Sequence, residues 1–86
     1  MVKITVVESS GNAVRLRVEG RLTGRWAEEL RNVCELQALS DGIWLTLDLA
    51  DVSFADAKGI EVLRELKIRR VTLLNPSSLV AEQLKA

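Results

Sequence analysis

Asp48, Asp51 and Asp56 fall close together in the stretch DLADVSFADAKG, and Lys58 follows two residues after the last of them. Carboxylates gathered after a strand-like run, with a lysine nearby, are the residue types of an acidic pocket that accepts a phosphoryl group. A plainer arrangement uses the same residues separately. Asp48 would face Arg15 or Arg17 across a sheet, Asp51 would sit in a turn, and Asp56 would cap a helix start by accepting a backbone N–H. We expect the second arrangement. Upstream, Gly20-Arg21-Leu22-Thr23-Gly24-Arg25 puts two glycines and two arginines before a helix-like run. Such a loop could seat a phosphate or a nucleotide. It lacks the Gly-Lys-Ser/Thr of a P-loop, so a sharp turn with Thr23 as N-cap is expected, with a weak anion or nucleotide site as the alternative.

Other chemistry has little to work with. The chain contains no His and no Tyr, so the commonest general base and metal ligand is absent. Cys34 has no His to activate it, and no Cys/His cluster exists to hold a metal. An enzyme would run on Asp, Glu, Lys, Ser and Thr alone. We expect a non-enzyme without catalytic residues, metal or cofactor.

The chain has 86 residues, of which 48% are hydrophobic. That suits one packed domain over 1–86. Twelve basic and twelve acidic residues cancel, which argues against a nucleic-acid partner or a membrane-surface patch. No apolar run approaches the ~18 residues of a membrane span. Met1-Val2-Lys3-Ile4 reads as a strand rather than a signal peptide. A single cysteine fits a reducing compartment, so the expected location is cytoplasmic.

The elements that must position these residues follow from periodicity. KITVVE (3–8) and AVRLRVE (13–19) read as strands joined by Ser9-Ser10-Gly11-Asn12, a β-hairpin. Trp26, Leu30, Val33, Cys34 and Gln37 mark one stripe of a helix of about four turns, ended by Ser40-Asp41-Gly42. IWLTLDLA (43–50) alternates again: Ile43, Leu45, Leu47 and Leu49 on one face, Trp44, Thr46 and Asp48 on the other. A helix is expected from about Ala57 to Lys67, buried through Ile60, Val62, Leu63 and Leu66. RVTLL (70–74) reads as a short strand. Asn75-Pro76 then reads as cap and first residue of a last helix, with Leu79, Val80 and Leu84 as its apolar side.

The order is β-β-α-β-α-β-α, an α/β fold with a mixed sheet. Lys3, Thr5, Arg15, Arg17, Thr46, Asp48 and Thr72 all fall opposite the apolar face. Helices should therefore cover mainly one side of the sheet. Trp44 and Leu74 are the apolar exceptions on the open side. Trp44 is a candidate second interface, for a partner or a homodimer, because exposed aromatics often anchor contacts.

Three segments, in order and correctly spaced, resemble the STAS domain family of sulfate transporters and anti-sigma-factor antagonists. They are VEGRLTGRWAEEL, LTLDLADVSFADAKGIEVL and LLNPSSLVAEQL. This sequence ends sooner than most members, so the extra turn or strand that usually follows the last helix is missing or trimmed here. In anti-sigma antagonists the turn before the second helix commonly reads Asp-Ser-Ser-Gly, and a partner kinase that also holds the sigma factor phosphorylates its first Ser. Here Asp56 and Gly59 match, Ala57 stands at the phosphoacceptor position, and Lys58 replaces the second Ser. Ala57 has no hydroxyl, so that position cannot be switched. Ser53 and Thr23 are nearby hydroxyls that do not match it.

The resemblance implies a protein-binding regulatory module of bacteria. Its partner would be an anti-sigma factor of the serine-kinase ATPase type, or a related regulator. The alternative partner is the ATPase of a phospholipid-transporting complex, bound by an accessory subunit that needs no phosphosite. The expected partner surface is Asp56, Ala57, Lys58, Gly59, Glu61 and Arg64, with Thr23, Gly24 and Arg25 beside it. Gly59 is expected to let its helix approach the sheet closely. Lys58 is expected either as a plain surface lysine or as a fixed positive contact to an acidic partner.

Overall fold

In the computed structural model, residues 2–38 and 42–85 are described. The elements are β1 (Val2–Ser10), β2 (Ala13–Leu22), α1 (Gly24–Ala38), β3 (Trp44–Ala55), α2 (Ala57–Ile68), β4 (Thr72–Leu74) and α3 (Ser78–Lys85). This is the expected β-β-α-β-α-β-α order.

One four-stranded sheet runs β1-β2-β3-β4. β1 and β2 form the hairpin, antiparallel from Val2↔Gly20 to Ser10↔Ala13. Gly11 turns it at φ +56, a conformation L side chains seldom adopt. β2–β3 and β3–β4 are parallel, because each connection passes through a helix.

The two-residue period sorts the faces. Val14, Leu16, Val18, Leu45, Leu47 and Leu49 are buried, while Arg15 and Arg17 between them are exposed. The buried face packs on Ala27, Leu30 and Cys34 of α1, on Ile60, Val62, Leu63 and Leu66 of α2, and on Val80 of α3. Trp26 and Val33 are only partly buried against this core. On the open face, Lys3, Thr5 and Thr72 are exposed, and Thr46 and Asp48 are half-buried. Arg17 pairs with Asp48. The Asp48 carboxyl is held below its ordinary value, chiefly by the Ala50 N–H donated to it at 3.0 Å, then by the Asn75 side-chain amide at 3.5 Å, with Arg17 and Arg15 adding to the effect.

Several sequence expectations need correction. β1 runs to Ser10, so Ser9 and Ser10 are strand rather than hairpin turn, and β2 runs to Leu22, so Gly20-Arg21-Leu22 is strand rather than the expected sharp turn. β3 does not stop at Ala50 but runs to Ala55, still paired with β2 down to Leu22↔Ala55. Two bulges allow this, each adding a residue to β3: one between the Arg17↔Asp48 and Glu19↔Asp51 pairs, one between Gly20↔Val52 and Arg21↔Phe54. They break the alternation that marks a strand. Asp51 is consequently a strand residue opposite Glu19, not a turn residue.

β4 begins at Thr72 rather than Arg70. Arg70 has φ +71 and belongs to the turn after α2. The last helix starts at Ser78, and its cap is Ser77, whose Oγ accepts from Val80 N–H at 3.2 Å. Asn75 has φ +54, outside the extended region a cap occupies. Leu79 is therefore 54% exposed and only Val80 is buried. The Ser40-Asp41 part of the expected α1 stop lies outside the described residues.

Candidate functional site

The C-terminal ends of β2 and β3 lie side by side, and each leads into a helix. This brings Thr23–Arg25 and Asp56–Arg64 into contact, although they are distant in sequence. Asp56 joins them. Its Oδ1 accepts from Gly59 N–H at 2.8 Å, the expected N-cap of α2. Its Oδ2 accepts from Gly24 N–H at 3.1 Å, at the start of α1. Its own N–H donates to Leu22 O at 3.3 Å. One carboxylate thus serves two helix starts, each of which favours a negative group. At α1 this capping acceptor is Asp56; Thr23 contributes its carbonyl, which accepts from Trp26 N–H.

Gly59 is buried against the Leu22 carbonyl, and a Cβ there would run into that backbone oxygen. The expected close approach of α2 to the sheet is therefore present. Ala57 is exposed at the first position of α2. Glu61, Arg64 and Ile68 continue an exposed stripe along the same helix. With Ile60, Glu65 and Gln83 these residues line an open groove between α2 and α3. Arg64 Nη2 donates to Gln83 O at 2.8 Å across it.

Lys58 is not a free cation. Its Nζ lies 2.7 Å from Glu28 Oε1 on α1. Glu28 also receives two bonds from Arg31 Nη1, at 2.9 and 2.8 Å. Arg31 Nη2 continues to Glu65 at 2.7 Å, Glu65 meets Arg69 at 3.4 Å, and Arg69 meets Glu35 at 3.3 Å. Charges of alternating sign thus run the length of the α1–α2 seam. Lys58 pulls the Glu28 carboxyl below its ordinary value, and Glu28 raises the Lys58 ammonium in turn. The i,i+3 spacing of Glu28 and Arg31 and the i,i+4 spacing of Glu65 and Arg69 were open to sequence reading. The cross-helix partners were not.

Two arginines border the site. Arg25 stacks over the Trp26 ring at 4.6 Å, and Arg21 over Phe54 at 5.2 Å. Ser53 Oγ donates to Gly20 O at 3.3 Å. Trp44 is not part of this site. It is 67% exposed at the start of β3, at the opposite end of the strand.

The three aspartates do not converge: Asp48 lies on the open face, Asp51 pairs within the sheet, and Asp56 bonds to amides. Among the described residues, no group of three or more His, Cys, Asp or Glu is placed to hold a metal. No helix there is long and apolar enough to cross a membrane. Burial pushes the Cys34 thiol up to about 12, far from a reactive thiolate.

The fold has solved counterparts. The structure of the anti-sigma factor antagonist SpoIIAA, in its unphosphorylated form, superposes with a TM-score of 0.72 at 21% identity, over 96% of this chain and 82% of that one. The chain has a STAS-like fold. An uncharacterized Shewanella loihica protein with a SpoIIAA-like fold matches this STAS-like domain with a TM-score of 0.59 at 16% identity, over 91% of this chain and 69% of that one. A structure of Mglu matches at 28% identity and a TM-score of 0.67, over 83% of this chain but only 19% of Mglu. No protein-family model matches the STAS-like chain, and no curated protein does.

Proposed function

We propose that this domain is a non-catalytic protein-binding module that docks a regulatory partner on the start of α2 and the adjoining Thr23–Arg25 turn. The partner is an anti-sigma factor of the kinase type, or a related regulator. The observation that carries this is Ala57: it is exposed at the helix start, on a backbone held by Asp56, and has no hydroxyl to modify. A phosphate there would add about −1.5 to −2 charges. Without one, the surface keeps a single charge state, suited to a constitutive antagonist or a decoy.

The charge on offer is shared rather than free. Lys58 reaches a partner together with Glu28, while Arg25 is exposed in the first turn of α1, over the Trp26 ring. An inorganic anion or nucleotide at this helix start is disfavoured, because Asp56 already takes the Gly24 and Gly59 amides. Ala57 suits a second reading at least as well: an accessory subunit that binds the ATPase of a phospholipid-transporting complex and needs no phosphosite.

The test is affinity capture from the organism's own lysate, with intact-mass analysis of the bait. Wild type is compared with Ala57→Glu and Arg64→Glu. Recovery of a serine-kinase-type ATPase that both substitutions abolish, on a bait without phosphate, supports the antagonist. Recovery of a transport ATPase selects the second reading. Capture indifferent to both substitutions removes this surface from the interface.

A further inference from the structure

Among the described residues, β1 is a sheet edge with no strand on its outer side. From Lys3 onward only Ile4 is even partly buried, and Val6 and Val7 are 54% and 40% exposed. A long edge rich in β-branched residues is a template for another strand unless something blocks it. Charged residues and bulges are the usual blocks. β1 carries both: Lys3, Glu8, and a bulge between Val6 and Glu8.

The placement of these features is what matters. Lys3 pairs with Glu19 and Glu8 with Arg15, so both charges lie on the open face. The extra residue in the bulge keeps Glu8 on that face. Counted in pleats, Lys3 lies two steps before Thr5, and Glu8 lies two steps after it. The charges are opposite in sign and symmetric about Thr5. Registers centred on Lys3 or on Glu8 would set like charges face to face. A register centred on Thr5 sets Lys3 against Glu8 of a second copy, twice, and Ile4 against Val6 and Val7, twice. Opposite charges and β-branched pairs directly across a ladder are both favourable.

We propose that β1 is a self-association edge. Two copies join antiparallel through β1 about a twofold axis at Thr5, doubling the four-stranded sheet. The contact is small, so the affinity falls in the weak range, with a dissociation constant of about 10 µM to 1 mM.

The experiment is sedimentation velocity over a concentration series with wild type, Lys3→Glu, Glu8→Lys and a 1:1 mixture of the two variants. Wild type is expected to dimerise, each variant to associate several-fold more weakly, and the mixture to recover. Recovery follows because each Lys3→Glu chain then meets its complement on a Glu8→Lys chain. A wild type that stays monomeric up to about 1 mM overturns the proposal. So does a mixture no tighter than its parents.

Hydrogen exchange on wild type at low and high concentration gives a readout independent of both variants. Protection that grows with concentration in β1 supports the edge. Protection that grows elsewhere but not in β1 overturns it.

Discussion

Gly59 lies so close to the carbonyl oxygen of Leu22 that no side chain fits between them. The obstacle is backbone on the core strand β2, not the movable tip of a side chain. Gly59→Ala must push α2 off the sheet, and overpacking of this kind typically costs about 1–3 kcal/mol. Helix propensity favours Ala by roughly 1 kcal/mol and offsets only part of that. Urea unfolding should show a net loss of stability. An unchanged or higher midpoint would mean that the helix has room to move.

Asp56→Ala removes the acceptor for both Gly24 and Gly59. A single lost cap costs about 0.5–2 kcal/mol. With two helix starts affected, the loss should reach the upper end of that range. Asp56→Asn keeps one acceptor oxygen and should lose less. Equal losses for the two variants in chemical unfolding would show that the carboxylate charge, not a retained acceptor oxygen, carries the caps.

Ser77→Ala should destabilise by about 1 kcal/mol, because Ser77 caps α3. Asn75→Gly should be neutral or mildly stabilising, because Asn75 sits at φ +54, where glycine is at ease. The reverse ranking would return the cap to Asn75.

Glu28 binds its proton less tightly in the folded chain than its ordinary value of 4.5, chiefly because of Lys58. The pair therefore contributes stability that is complete above that value and is lost as the pH falls through the lowered folded value. Lys58→Met should narrow its stability gap to wild type as the pH drops from about 7 to about 3. The gap should be small throughout, because the pair is exposed to solvent and salt. A gap that widens in acid would contradict the pairing.

The fold was readable wherever one period ran without interruption. Val14, Leu16 and Val18 identified β2, and Ile60, Leu63 and Leu66 identified α2. The second half of β3 was not readable, since its bulges place Ala50 and Asp51 in succession on the solvent side. Asn75-Pro76 carried a strong local start signal that lost to the left-handed turn at Asn75. At the site, the Asp56 cap and the Gly59 contact followed from residue type. The second bond of Asp56 and the pairing of Lys58 with Glu28 join residues on different helices, and local spacing does not encode them.

The α1–α2 seam also limits where the chain can change length. Its contacts follow one order along both helices: Gly24 with Asp56, Glu28 with Lys58, Arg31 with Glu65, and Glu35 with Arg69. One residue inserted inside either helix would turn everything beyond it by about 100°. Every later partner would then face the wrong way at once. Insertions in the hairpin turn between Ser10 and Ala13, outside both helices, leave this alignment alone. Across natural variants of this domain, length changes should gather in that connection and spare the two helices.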